Sequence, residues 1–232
     1  MKLATRMTAV FVVGALALSA SVAGAFSLRS PQITFPTAAL QAYLTTYDGA
    51  ITAATDQINA QTWSTGITGN TDFTLILKTA TGTEIGAFNT SWVIGSPALY
   101  QIFPPAATNG YSAACHWAPG GNLEVTLFDA SFTNLGMVSY SGVDRNHFGF
   151  YINGPNGLWY SQDGRNPSNH AQVLTYAGTQ VGGNYGEWFE CFEDHSYNSA
   201  TSTYTAAICV LESVQPTPTR AGTWGALKAT YR

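Results

Sequence analysis

Residues 148–160 read Phe-Gly-Phe-Tyr-Ile-Asn-Gly-Pro-Asn-Gly-Leu-Trp-Tyr, and this stretch decides the fold class. Phe148, Phe150 and Ile152 are two residues apart, which places them on one face of a strand. An Asn-Gly pair ends that strand, and a second Asn-Gly pair precedes the next apolar run. Asn-Gly between apolar runs is a strong hairpin signal. The stretch therefore predicts two antiparallel strands joined by a tight turn.

Strand patterns of the same kind recur along the chain. Residues 73–78 and 123–127 alternate apolar and polar, and residues 204–211 are apolar on both faces, as in a central strand. With 45% hydrophobic, 13% aromatic and only 9% charged residues, the chain has ample apolar surface to bury and is not disordered. Roughly nine to eleven short strands between turn clusters predict an all-β fold, a β-sandwich or jelly roll.

A short helix is predicted near the N-terminus of this domain. Leu40, Leu44 and Tyr47 recur at helical spacing, and Thr37 is a candidate N-cap. Asp48-Gly49 predicts that the helix ends there and that a strand follows. The alternative is one long helix whose apolar period continues to residue 58.

The first 25 residues predict a secretory signal peptide. Lys2 and Arg6 precede an apolar run over 7–20, and Ala23-Gly24-Ala25 is a small-residue cleavage site. A transmembrane anchor is the alternative, but the run is shorter than the ~20 residues that a spanning helix needs. We therefore expect a secreted, extracellular protein with no membrane span after signal cleavage. Attachment of the secreted protein to the cell surface is one version of this expectation.

Composition also predicts the domain boundaries at the other end. Residues 26–214 form the predicted β-sandwich domain, and 215–232 form a Pro/Thr linker and a short tail that is dispensable for folding. The net charge is −4, and it becomes −6 without residues 1–25, which hold two of the nine basic residues and none of the thirteen acidic ones. Nucleic acid is therefore not an expected partner.

Three cysteines in an exported chain predict one disulfide and one remaining thiol. Cys191 is expected in the disulfide, because an antiparallel pair turning near Ala200 would place Cys209 opposite it. Cys115 is the competing partner, from a strand of the opposite sheet. A zinc site is not predicted, since none of the three lies in a Cys-x-x-Cys pair.

The catalytic signals are weak. Glu187, Glu190, Glu193 and Asp194 form the one acidic cluster, and Glu190 shares a strand face with Trp188, which is the best case for sugar hydrolysis. The alternative is that these carboxylates lie at a solvent-facing strand edge. No catalytic residue is assigned. Trp159, Tyr160 and Tyr197 are candidates for stacking on a glycan, with packing in the core as the alternative.

Several of these motifs together resemble a known but uncharacterised family. The residues are 148–155, Trp159-Tyr160-Ser161, Asn166-Pro167 and the run Trp-Phe-Glu-Cys-Phe-Glu-Asp at 188–194. Over about residues 122–214 the chain resembles the secreted bacterial β-sandwich domain of extracellular proteins with exosortase-type (PEP-CTERM) sorting signals. The resemblance implies an extracellular β-sandwich and an acidic loop suited to a hard cation.

The acidic loop of that family has the form Asp-x-Asp-Tyr-Asn-Asp, and here Ser196 and Ser199 replace two of the aspartates. Glu193, Asp194 and Asn198 are the remaining ligand candidates. Because calcium affinity depends on carboxylate number, we expect a weak calcium site or none, and no other cofactor.

Two classes of function remain. The first is a non-enzymatic extracellular structural, adhesive or surface-associated bacterial module whose partners are glycans or components of a cell surface or matrix. The alternative is a secreted protein that binds or cleaves carbohydrate. A non-enzymatic function is the preferred interpretation.

Overall fold

The computed structural model describes residues 27–65, 68–91, 96–178 and 188–217. The predicted signal peptide and the tail beyond residue 217 lie outside these residues, as does Glu187.

The described residues form one α-helix, thirteen strands and two short 3₁₀ turns. The helix is α1 (Ala38–Tyr47). The strands are β1 (Trp63–Thr65), β2 (Asn70–Lys78), β3 (Glu84–Asn89), β4 (Leu99–Phe103), β5 (Ser112–Trp117), β6 (Asn122–Phe128), β7 (Asn134–Ser141), β8 (Phe148–Gly154), β9 (Gly157–Tyr160), β10 (Val173–Ala177), β11 (Trp188–Phe192), β12 (Ala207–Glu212) and β13 (Val214–Pro216).

Two antiparallel sheets pack face to face, which confirms the predicted all-β sandwich. The large sheet has the strand order β10-β11-β12-β2-β5-β6-β7. The small sheet has the order β13-β1-β8-β3-β4, and β9 pairs with β8. Apolar side chains from the inner faces of both sheets form the main core. Such a core is what half-buried antiparallel strands produce when their apolar faces meet.

The hairpin predicted from residues 148–160 is present as β8 and β9. Phe148, Phe150 and Ile152 are all buried in the main core, and Gly154 pairs with Gly157 across the turn. The ring of Phe148 stacks on Trp117 of the large sheet at a centroid distance of 4.0 Å. The period-two pattern therefore identified the residues that join the two sheets.

The helix α1 ends at Tyr47, as the Asp48-Gly49 pair predicts. Leu40 and Leu44 are buried, whereas Tyr47 is exposed and Thr37 makes no side-chain cap hydrogen bond. The expected strand after the helix is absent: residues 48–62 are turns and loop, with two isolated β-bridges at Ile58, one to Leu28 and one to Thr175. This segment therefore pairs with the edge strand β10 at Ile58 alone among its described residues.

The position of α1 divides the outer face of the large sheet into two halves. Leu40 and Leu44 belong to a second core with side chains of β10, β11 and β12, so this half is covered. Leu77, near the end of β2, also belongs to this second core, but over residues 70–74 of β2 and over β5, β6 and β7 the outward side chains are exposed or half-buried. We call this second half the open face.

The domain extends slightly beyond its predicted end at residue 214. Residues 214–216 form β13, which pairs with β1, and Thr217 N–H donates to the carbonyl of Thr62 at 2.7 Å.

In the part of the chain that the structure describes, no helix has the length and hydropathy needed to cross a bilayer.

Candidate functional site

The acidic loop after β11 is held together by Glu193. Its Oε2 accepts the backbone N–H groups of Thr203 at 2.7 Å and Tyr204 at 3.2 Å, and its Oε1 accepts that of His195 at 3.3 Å. The side chain is buried. A buried carboxylate with three main-chain donors closes the loop between β11 and β12 in the way that a cap closes a helix end.

Asp194 connects this loop to the β8–β9 hairpin. Its Oδ2 accepts from Asn156 Nδ2 at 2.8 Å, its Oδ1 lies 2.9 Å from His195 Nδ1, and its main-chain carbonyl accepts from Trp159 Nε1 at 2.8 Å. Ligand atoms of Glu193, Asp194 and His195 lie within 4.8 Å of one another. The structure therefore brings together two of the three predicted metal ligands and adds His195.

The third predicted ligand, Asn198, has a different role. Its exposed side chain accepts the N–H of Ala200 at 2.9 Å, and its own N–H donates to Ser202 Oγ at 2.9 Å. All four carboxylate oxygens of Glu193 and Asp194 already face nitrogen donors. The arrangement acts as a hydrogen-bonded hub, and a cation would have to displace those donors.

The three aromatic candidates do not form one surface. Trp159 and Tyr160 are neighbours in β9 and point to opposite faces; each is only 8% exposed. Trp159 lies in the main core, whereas Tyr160 packs on Phe88 at 4.9 Å on the outside of the small sheet. Tyr197 is half-buried near the N-terminal segment, where its hydroxyl donates to the carbonyl of Thr34. Packing is the role that the structure gives to Trp159 and Tyr160.

The predicted disulfide is wrong: Cys115, Cys191 and Cys209 are free and buried. The strands β11 and β12 are antiparallel as expected, but Cys191 lies opposite Ile208 and Cys209 lies opposite Glu190. This one-residue offset puts the two sulfurs on opposite faces of the sheet. Cys115 faces the same core as Cys209, but β2 lies between their strands.

Burial raises the pKa of all three thiols above its ordinary value. The thiolate, which is the reactive form, is thereby disfavoured. The cysteines act as small core residues.

Glu190 lies in the centre of the sandwich and not at a strand edge. It is fully buried, its Oε1 accepts from the Thr175 hydroxyl at 2.6 Å, and its Oε2 has no partner among the described residues. Burial raises the pKa of this carboxyl well above its ordinary value. A cavity of about 10 Å³, lined also by Cys209 and Phe150, adjoins it. A sugar cannot reach this carboxyl, which excludes it as a glycosidase residue.

The open face of the large sheet carries two adjoining clefts. One, of about 330 Å³, is lined by Asn70, His116 and Glu124, and His116 Nδ1 lies 2.7 Å from Asn70 Oδ1. The other, of about 290 Å³, is lined by Phe128 and Phe132. Asp72 and Ala114 line both clefts. The two clefts thus form one surface with polar groups at one end and aromatic rings at the other.

Phe132 is the most unusual residue of this surface. It is 78% exposed and has a φ of +60°, in the left-handed region that large residues rarely adopt. Its turn is fixed by Asp129, whose Oδ1 accepts the N–H groups of Ser131 and Thr133. Strained, exposed apolar residues concentrate at functional sites.

Sequence reasoning did not single out Asp72, His116, Glu124 or Phe132. The alternation in β2 and β6 does show which side chains point outward. It does not show which outward face α1 covers, because that depends on packing between distant segments. The one local signal for this surface in the sequence is Phe132, a large apolar residue in the short segment between two strands.

Comparisons of the chain with protein-family models, with curated proteins and with solved structures gave no match. The fold class therefore rests on the geometry alone, and the resemblance to the PEP-CTERM-associated domain stays a prediction.

Proposed function

We propose that this protein is a non-enzymatic extracellular module, structural or adhesive, that contacts a cell surface or matrix through its open face. The observation that carries the proposal is the uneven covering of the large sheet. Helix α1 buries one half of the outer face, and the other half is left exposed with Phe132 held at its margin. An exposed aromatic ring beside an uncovered sheet face is a typical anchor for a macromolecular partner.

The chemistry of the described carboxylates supports a non-enzymatic role. Glu190 is buried in the core, Glu193 accepts hydrogen bonds from the backbone of its own loop, and Asp194 accepts one from Asn156 of the β8–β9 hairpin. General acid–base catalysis needs carboxylates that reach the substrate with different protonation states. The three carboxyls with the strongest sequence signal serve the fold.

The test is retention of the purified protein on immobilised bacterial matrix. Phe132→Asn removes the ring and suits the left-handed turn, so the variant should fold. We expect a loss of affinity of about tenfold or more, as for an interface anchor. Tyr47→Asn, at an exposed site at the end of α1, is the matched control and should bind like the wild type. Equal retention of Phe132→Asn and wild type would overturn the proposal.

Carbohydrate binding is the second candidate, and the paired clefts favour it. Asp72, His116 and Glu124 offer hydrogen-bonding groups, and Phe128 and Phe132 offer apolar faces. Sugars are bound by this combination of groups. A glycan array, followed by a hydrolysis assay on each hit, separates the candidates. A hit that Asp72→Ala abolishes selects carbohydrate binding, and released product selects an enzyme.

A further inference from the structure

The two edges of the large sheet differ in how they are protected. At one edge, Ile58 N–H donates to the carbonyl of Thr175 in β10 at 2.9 Å, so the chain itself covers that edge. At the other edge, β7 is paired with β6 alone among the described strands. Unpaired main-chain groups along an edge are a template for another strand.

Strand β7 lacks most of the features that block such pairing. Its sequence, Asn-Leu-Gly-Met-Val-Ser-Tyr-Ser, contains no charge and no proline. Leu135, Met137 and Val138 are exposed, Met137 by 64%. A register shift opposite Leu127 and Phe128 interrupts only the start of the strand, and the pairing from Gly136 to Ser141 is regular. The regular part is therefore an uncharged edge with two exposed apolar side chains, Met137 and Val138.

The edge strand of the small sheet on the same side, β4, contacts β7. The hydroxyl of Tyr140 donates to the carbonyl of Gln101 in β4 at 3.1 Å, and its ring lies 5.7 Å from that of Tyr100. Both sheets thus contribute to one side wall of the sandwich, so a partner on β7 also meets β4.

We infer that β7 pairs antiparallel with β7 of a second copy of this chain, about a two-fold axis at Val138. The inference deepens the proposed function, on which it rests, by naming a partner for the module. An uncharged strand meets its own copy without like-charge repulsion, although the whole chain has a charge of −4. Antiparallel pairing about a two-fold axis is self-complementary. The axis at Val138 pairs residues 136–140 with the same residues of the second copy and sets Met137 opposite Ser139 of that copy.

The size of the contact sets the strength of the dimer. Five paired residues at about 3.4 Å each give an edge of roughly 17 Å. Such an edge buries less than the ~800 Å² per partner of a standard stable interface. The dimer is therefore weak, and its population rises with concentration. It joins two large sheets and places both open faces on the same side, which doubles the contact surface of the module.

Sedimentation velocity and hydrogen exchange on the purified protein, from low to high micromolar concentration, test this inference. We expect a monomer–dimer equilibrium and slower exchange of the amides of β7 in the concentrated sample, with exchange in β10 unchanged. Val138→Lys places two ammonium groups opposite each other and should abolish the dimer. Leu28→Lys, at a 58% exposed site in the segment that precedes the helix, is the control and should dimerise normally.

Cysteine substitution tests the register. Val138→Cys should give a disulfide-linked dimer under mild oxidation, because each copy lies on the axis, whereas Met137→Cys should link poorly. A monomer at all concentrations, a dimer with unchanged exchange in β7, or a dimer of normal strength in Val138→Lys would overturn the inference. Concentration-independent protection of β7 that is lost on removal of residues 218–232 would also overturn it. No matrix or glycan is present in these measurements, so failure of the adhesive function leaves their result intact.

Discussion

At the scale of single residues, the core contains a group that opposes folding at neutral pH. Glu190 is fully buried with one hydrogen bond, from Thr175, and its Oε2 has no partner in the described part of the chain. Burial favours its neutral form and raises its pKa well above 4.5. The group is best accommodated as an uncharged acid in an apolar core.

We expect the free energy of unfolding to fall as the pH rises above 4.5. In that range the unfolded chain loses the Glu190 proton while the folded chain keeps it, so the unfolded state is favoured by up to about 1.4 kcal/mol per pH unit. The penalty is absent below 4.5 and grows until the pH reaches the folded-state pKa. Denaturant unfolding between pH 4 and pH 8 measures it. Glu190→Gln should remove this part of the slope, whereas Glu124→Gln on the open face should retain it. Equal slopes in wild type and Glu190→Gln would contradict the assignment.

A second residue-scale prediction concerns Gly86 in β3. A Cβ at this position would lie 2.2 Å from the carbonyl oxygen of Tyr100 and 2.8 Å from the hydroxyl of Tyr151. Gly86→Ala should therefore lower the free energy of unfolding by about 1–3 kcal/mol through overpacking. Gly120→Ala is the control, since its Cβ would meet no atom within 4 Å. Chemical denaturation of both variants measures the difference in the free energy of unfolding. Equal midpoints would show that β4 moves aside with no loss of stability.

At the scale of elements, the loop after β11 is held in shape by hydrogen bonds to two carboxylates. Glu193 holds the N–H groups of Thr203 and Tyr204, and Asp194 holds Asn156 and His195. Calcium needs six to eight oxygens, and the loop offers two carboxylates. Its shape is maintained by main-chain N–H groups that donate to Glu193 and by contacts of Asp194 with the side chains of Asn156 and His195.

We expect calcium to bind weakly, near the ~10⁻³ M end of the range for protein sites, or not to bind. Isothermal titration calorimetry of the purified protein is the measurement. Ser196→Asp/Ser199→Asp should strengthen binding if the resemblance to the acidic-loop family holds. A micromolar site in the wild type that Asp194→Ala abolishes would contradict the prediction.

At the scale of the whole molecule, β13 sets where the domain ends. Val214 is buried, its carbonyl accepts from Trp188 Nε1 at 2.9 Å, and Pro216 pairs with Trp63 of β1. The predicted linker thus begins with two residues that belong to the small sheet. The small sheet therefore includes residues up to Pro216, and Thr217 is the last described residue.

Truncation after Thr217 should leave the melting temperature unchanged, in keeping with the prediction that the tail is dispensable for folding. Truncation after Ser213 removes β13, exposes Trp63 and Trp188, and should cost at least about 2 kcal/mol. Thermal unfolding of both truncated chains compares them with the full protein. A large loss in the longer one would show that residues beyond 217 pack on the domain.

The sequence by itself determined most of the strands, their inward faces and the helix, because these follow from local periodicity and turn chemistry, but it also predicted a strand after the helix where residues 48–62 form turns and loop. Phe148, Phe150 and Ile152 are examples, and so are Leu40 and Leu44. It also indicated that β11 and β12 are antiparallel.

Only the tertiary structure decided the register, the covering of faces and the edges. One residue of register separates Cys191 from Cys209 and puts Glu190 into the core, and no local pattern fixes that offset. Likewise, one half of the outer face is open because α1 packs on the other half. Among the described strands, β10 has its outer edge bridged by Ile58, whereas β7 has β6 as its one neighbour. Contacts between segments that are distant in sequence determine these features, and for that reason local periodicity predicts the fold class but not the candidate site.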